Sequence, residues 1–150
     1  MGFFDRFTKS FDDKVNEALD QIVFCSRNTG EFYVVDHGTT TEEAAGHSGG
    51  RRGRGGDILY RWGNPQNYDR GTSEDQHFYV VHGANVIRPG LEGAGNVLIF
   101  NNGDRPGSGS DYSSVEEIVT TVDANGDYPV PEPGHPHGPA EAVWTYTSDP

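Results

Sequence analysis

The residue best suited to covalent chemistry is His82, a lone histidine in the apolar run "VVHGANVI" at residues 80–87. A neutral imidazole is a competent nucleophile near neutral pH, because its ordinary pKa lies at about 6.5. The plainer reading is a strand histidine with a satisfied hydrogen bond. Arg27 closes the run "IVFCSR" just before a turn and reads on its own as a surface ion-pair residue. Arg61 and Arg105 are further anion candidates without a firm role. His37 and His47 share a polar stretch with Glu42 and Glu43, but their spacing fits no zinc pattern, so no metal is expected. "HPH" at His135 and His137 lies in a Pro-rich connection. "DANGD" at residues 123–127 echoes the start of a calcium loop without its downstream glutamate and reads as a turn.

Charge narrows the partners. The 150 residues hold 23 Asp and Glu against 11 Lys and Arg, a net charge of -12. Such a field repels phosphate backbones, so no nucleic-acid partner is expected. The one basic cluster, "GGRRGRGG" at residues 49–56, reads as a solvated loop. No apolar run approaches the ~20 residues of a membrane helix, so no membrane partner is expected either. The opening "MGFFDRF" is too short and too charged for a secretory signal, and the myristoylation pattern fails at Arg6. The compartment stays undetermined. A single cysteine, Cys25, makes an intramolecular disulfide impossible and reads as a buried thiol.

The elements that must position these residues are short strands, as 21 glycines, 9 prolines and 11% aromatics suggest. Residues 1–18 are the exception. Phe3, Phe4, Phe7 and Phe11 recur at helical spacing and predict a short amphipathic helix. Strands are expected at residues 20–27, 31–36, 57–63, 77–87, 96–103, 113–123 and 141–147, with a long polar loop over 37–56. Two of these groups share one grammar. "DQIVFCSR", "EFYVVD" and "DILYRWG" end on Tyr60-x-Trp62; "NVLIFNNG", "SSVEEIVTTVD" and "EAVWTYT" end on Trp144-x-Tyr146. The second group has an extra leading strand, the one that carries His82. Repeated antiparallel units of this kind are the signature of propeller blades. The expected fold is therefore all-β: a β-propeller fragment of about two four-stranded antiparallel blades, at residues 19–63 and 77–147, after the N-terminal helix. Two blades cannot close a ring, so a piece of a longer protein, or self-association through unpaired blade faces, is expected.

At this point the strings become specific. "DHGTTTEEAAGH", "GGDILYRWGNP", "VVHGANVIRPGLEGAGNVLIFNNGDRP", "DYSSVEEIV" and "GPAEAVWTY" resemble the arylsulfotransferases, the bacterial aryl-sulfate sulfotransferase propellers. The likeness covers residues 19–150. It implies a propeller of about six blades. It also implies transfer of a sulfuryl group from an aryl sulfate donor to a phenolic acceptor, with no cofactor, through a sulfohistidine. On this resemblance His82 takes the position of the nucleophile and Arg27 that of the sulfate-binding arginine. Two positions depart from the pattern. Lys9 and Phe11 stand where a His-x-Asn pair falls, and Gly83 follows His82 where aspartate is common. Catalysis is thus expected to be incomplete in this chain. The alternative expectation is a non-catalytic propeller segment that binds a partner.

Overall fold

A computed structural model describes residues 20–103 and 112–147. The expected helix over residues 1–18 lies outside the described residues, as does Arg105. The described chain is mostly β, in two sheets of three and four strands. The first sheet has the order β1 (Gln21–Ser26), β2 (Glu31–Asp36) and β3 (Ile58–Trp62). The second is a meander of β4 (Val80–Val86), β5 (Val97–Asn102), β6 (Ser114–Ile118) and β7 (Trp144–Thr147). Its ladders are antiparallel throughout.

Every expected strand forms, although β4, β6 and β7 are each shorter than expected by three residues or more. Residues 77–79 leave the β4 ladder because their amides bond elsewhere. The His77 and Phe78 amides both donate to the Gly63 carbonyl at 2.7 and 3.2 Å, and the Tyr79 amide donates to Asn101 Oδ1 at 3.2 Å. β6 stops at Ile118. Beyond it, the Asp123 carboxylate accepts from the Asn125 and Asp127 amides and folds the "DANGD" segment into a turn. β7 begins only at Trp144, though the Val143 amide already donates to the Glu117 carbonyl at 2.9 Å.

Contacts divide the described chain into two compact units: residues 20–22 with 35–57, and residues 23–34 with 58–103 and 112–147. In the first unit the expected loop carries a short helix, α1 (Thr41–Ala44). Thr40 caps it: its hydroxyl accepts from the Glu43 amide, and the Glu43 carboxylate accepts from the Thr40 amide, a capping box. A Thr-x-x-Glu spacing therefore overrides the loop-like composition here. Asp36 ties down both ends of the segment by accepting from the Gly38 and Arg52 amides at 2.8 and 2.7 Å.

In the second unit the apolar core joins Phe32, Val34, Leu59, Tyr60, Trp62 and Phe78 to Val81, Val97, Ile99 and Ile118. Burying each such side chain contributes about 1.5–3 kcal/mol before entropy is counted. Strand alternation decides which residues enter. Val97, Ile99 and Asn101 of β5, and Ser114, Glu116 and Ile118 of β6, point inward. The opposite face of the four-stranded sheet stays largely open, and β7 is exposed along its whole length. Among the described residues no helix is long and apolar enough to cross a membrane.

Candidate functional site

His82 stands on β4, an edge strand, and its side chain is exposed. It pairs with Phe100 of β5, which pairs with Val115 of β6, which pairs with Tyr146 of β7. Directly opposed residues share a face, so His82, Phe100, Val115 and Tyr146 form one row across the open side. Immediately after His82 the ladder shifts register, as far as Asn85. Gly83 opens this bulge at φ +59, where a residue with a Cβ is strained. The Asn85 amide side chain closes it by donating to the Gly83 carbonyl at 2.6 Å. This bulge gives Gly83 a backbone role and leaves His82 at the end of a regular ladder.

Arg27 lies beyond the end of β1, in the turn that returns to β2, and is exposed. No hydrogen bond, ion pair or ring contact joins it to His82, and neither side chain has such a partner among the described residues. The two residues implied by the resemblance thus belong to different sheets and are not brought together by side-chain contact. A histidine nucleophile normally has its second ring nitrogen held by a hydrogen bond, which fixes the tautomer.

The most developed polar cluster is one that sequence reasoning left unassigned. Glu31 is fully buried at the start of β2. Its carboxylate accepts from Arg61 Nε and Nη2 at 2.8 and 2.5 Å, from Asn67 Nδ2 at 2.8 Å and from the Tyr33 hydroxyl at 2.9 Å. Arg61 is also stacked over the Tyr68 ring at 4.2 Å and approaches the Tyr33 ring at 5.4 Å. Burial opposes the guanidinium charge, but the Glu31 hydrogen bonds overcome that and hold its pKa above the usual value. Burial likewise pushes the Tyr33 and Tyr68 phenols up. Arg61, an anion candidate by sequence, is therefore already occupied by an internal carboxylate. The signal that could have located the pair is the Glu-x-Tyr of β2 facing the Tyr-Arg-Trp of β3.

Next to this cluster is a cleft of about 280 Å³ lined by Trp62, Tyr68, Asp75, His77, His135 and His137 among others. His77 stacks on the Trp62 indole at 4.6 Å and 13°. The "HPH" histidines thus take part in a built wall rather than an open turn. Among the described residues no group of three or more His, Cys, Asp or Glu is arranged to hold a metal. His37 and His47 are engaged with carboxylates, at 3.2 Å to Asp20 and 2.6 Å to Asp57. The hydrogen bond that its ring donates to the Asp57 carboxylate raises the His47 pKa.

Comparison with protein-family models, with curated proteins and with solved structures finds nothing that matches this chain.

Proposed function

We propose that this chain is a two-blade segment of an arylsulfotransferase-like propeller, with His82 as the nucleophile and Arg27 as a sulfate ligand. The observation that carries the reading is the placing of His82: solvent-open, on the leading strand of a four-stranded meander, opposite the exposed ring of Phe100. The exposed imidazole is open to solvent, and the exposed Phe100 ring beside it offers a surface to an aryl group. The chemistry has two steps. An imidazole nitrogen of His82 attacks sulfur, forming an N–S bond as the aryl O–S bond breaks, and the phenolate leaves to take a proton from water. The acceptor phenol then attacks the same sulfur and loses its proton to solvent, and the N–S bond breaks to restore the imidazole. Arg27, always charged and forked, suits the sulfate oxygens.

A second reading is the segment that binds without turnover. It is favoured by a specific observation: the His82 ring has no described partner and Arg27 makes no contact with it. One experiment separates the two. Incubate the folded chain with p-nitrophenyl sulfate and phenol, following p-nitrophenolate release and mapping sulfohistidine by mass spectrometry. The first reading expects label on His82, and a loss of roughly 10³-fold or more in His82→Ala. Equal rates in the variant, or label on another residue, sink the assignment. A folded protein with no release at all supports the second reading.

A further inference from the structure

The two aromatic-x-aromatic strands differ in what covers them. On β3, Tyr60 and Trp62 are 1% and 3% exposed; on β7, Trp144 and Tyr146 are 49% and 55% exposed. The cover on β3 has a definite chemistry. The Tyr60 hydroxyl donates to the Gly138 carbonyl at 2.5 Å, and the Trp62 indole N–H donates to the next carbonyl, Pro139, at 2.7 Å. The His137 ring lies edge-on to Tyr60 at 5.2 Å. Two donors spaced i, i+2 on a strand thus read two successive carbonyls of a Gly-Pro segment.

β7 presents the same pair of groups. Trp144 and Tyr146 again alternate along a strand, with rings side by side at 6.3 Å and 14°. Neither the indole N–H nor the phenol O–H has a hydrogen-bond partner among the described residues. Beside them runs a groove of about 710 Å³, lined by Leu91, Leu98, Val143 and Trp144 together with the carboxylates of Glu92 and Glu117. No cation lines that groove.

We propose that the Trp144–Tyr146 face is a docking site for a basic, proline-rich segment. Its Gly-Pro carbonyls take the indole and phenol donors, and a lysine or arginine beside them faces Glu92 and Glu117. Proline-rich segments suit such a surface because proline fixes φ before they bind, which lowers the entropic cost. The chain's acidity attracts the basic flank over longer range. This inference rests on the internal repeat and does not depend on sulfuryl transfer at His82.

The test uses the full chain and a synthetic peptide of residues 131–140 carrying Glu132→Lys. The chain has two tryptophans, so two indole N–H signals report binding by NMR, assigned with Trp144→Phe. The expected result is a saturable shift of the Trp144 signal, with a Kd of roughly 0.1–1 mM. Tyr146→Phe is expected to weaken binding about threefold to tenfold, as does replacing both Gly138 and Pro139 by alanine in the peptide. Raising salt from low to high weakens it severalfold. Both substituted chain positions are exposed, so the fold survives and the loss is readable. The proposal is overturned if the Trp144 signal does not move at peptide concentrations of several millimolar. It is also overturned if only the Trp62 signal moves, or if the peptide with Glu132 retained binds equally well. Burial of Trp144 by concentration-dependent pairing of the chain with itself, without peptide, would overturn it in favour of a second copy.

Discussion

β3 and β7 carry the same pattern of aromatic, polar residue, aromatic, yet the first is a core strand and the second is a wet edge. Between Tyr60 and Trp62 stands Arg61, locked in a fork on the buried Glu31 carboxylate. Between Trp144 and Tyr146 stands Thr145, directly opposite Glu116 in the ladder. Glu116 is also buried, but its carboxylate is held by neutral donors, Ser114 Oγ at 2.7 Å and Asn101 Nδ2 at 3.1 Å. An ion pair suits the sheet whose outer strand is enclosed, because desolvated charges must be paired. Neutral hydrogen bonds are enough where the outer strand meets water. Repetition in sequence therefore sets the backbone plan, and the neighbours decide which copy becomes core.

Substitutions can break this comparison. The largest expected effect is at the ion pair: Arg61→Ala strands the Glu31 carboxylate and costs about 3–5 kcal/mol, whereas Thr145→Ala stays within about 0.5 kcal/mol. Urea unfolding of the two variants measures it, and equal costs would mean that Arg61 contributes no more than the exposed residue at the matching place on β7. Gly63→Ala comes next, at about 2 kcal/mol or more. Gly63 has φ +130, and an added Cβ would overlap the Gly30 carbonyl oxygen and the Phe78 ring. A thermal melt that leaves this variant unchanged would show that the β3 exit is not tightly packed.

The third effect depends on pH. Burial, then the nearby Tyr128 and Tyr68 phenols, raise the Tyr60 pKa far above its ordinary value of 10.0. With the folded pKa raised, the native state keeps its proton above pH ~10 while the unfolded chain loses it. That contribution is full below pH ~10 and declines as pH rises further, by about 1.4 kcal/mol per pH unit. Tyr60→Phe is expected to remove this alkaline slope, at a cost of about 1 kcal/mol for its hydrogen bond to Gly138. Stability curves at pH values from 8 to 11 that run parallel in the two proteins would refute it. The smallest effect concerns the open copy. Trp144→Phe shifts stability by less than about 0.5 kcal/mol, yet it removes most of the quenching of tryptophan emission by acrylamide. Persistent quenching in that variant would place Trp62 in water and erase the contrast.

Strand positions were legible because apolar alternation and turn residues are local signals. "EFYVVD" spans the same six residues as β2, and "NVLIFNNG" contains the whole of β5. The start of β4 was not legible, since it is set by bonds to a distant group, the Gly63 carbonyl. The capping box of α1 was written in "TTEE", but the polar composition around it masked the signal. At the candidate site, His82 is on a strand as expected and Arg27 is at a strand end as expected. The occupation of Arg61 by Glu31 was hidden, because the pair is separated by 30 residues and meets only when β2 and β3 lie side by side.

By itself the sequence determined that the described chain is mostly β, where its strands fall along the chain, and the aromatic-x-aromatic pattern shared by β3 and β7. Those follow from side-chain alternation and turn chemistry, which act over a few residues. Only the tertiary structure decided which repeated aromatics are buried, which acid receives a cation and which face of the His82 sheet stays open. Those outcomes depend on what packs from elsewhere in the chain. Gly138 and Pro139 reach Tyr60 and Trp62, and among the described residues no carbonyl takes the donors of Trp144 and Tyr146.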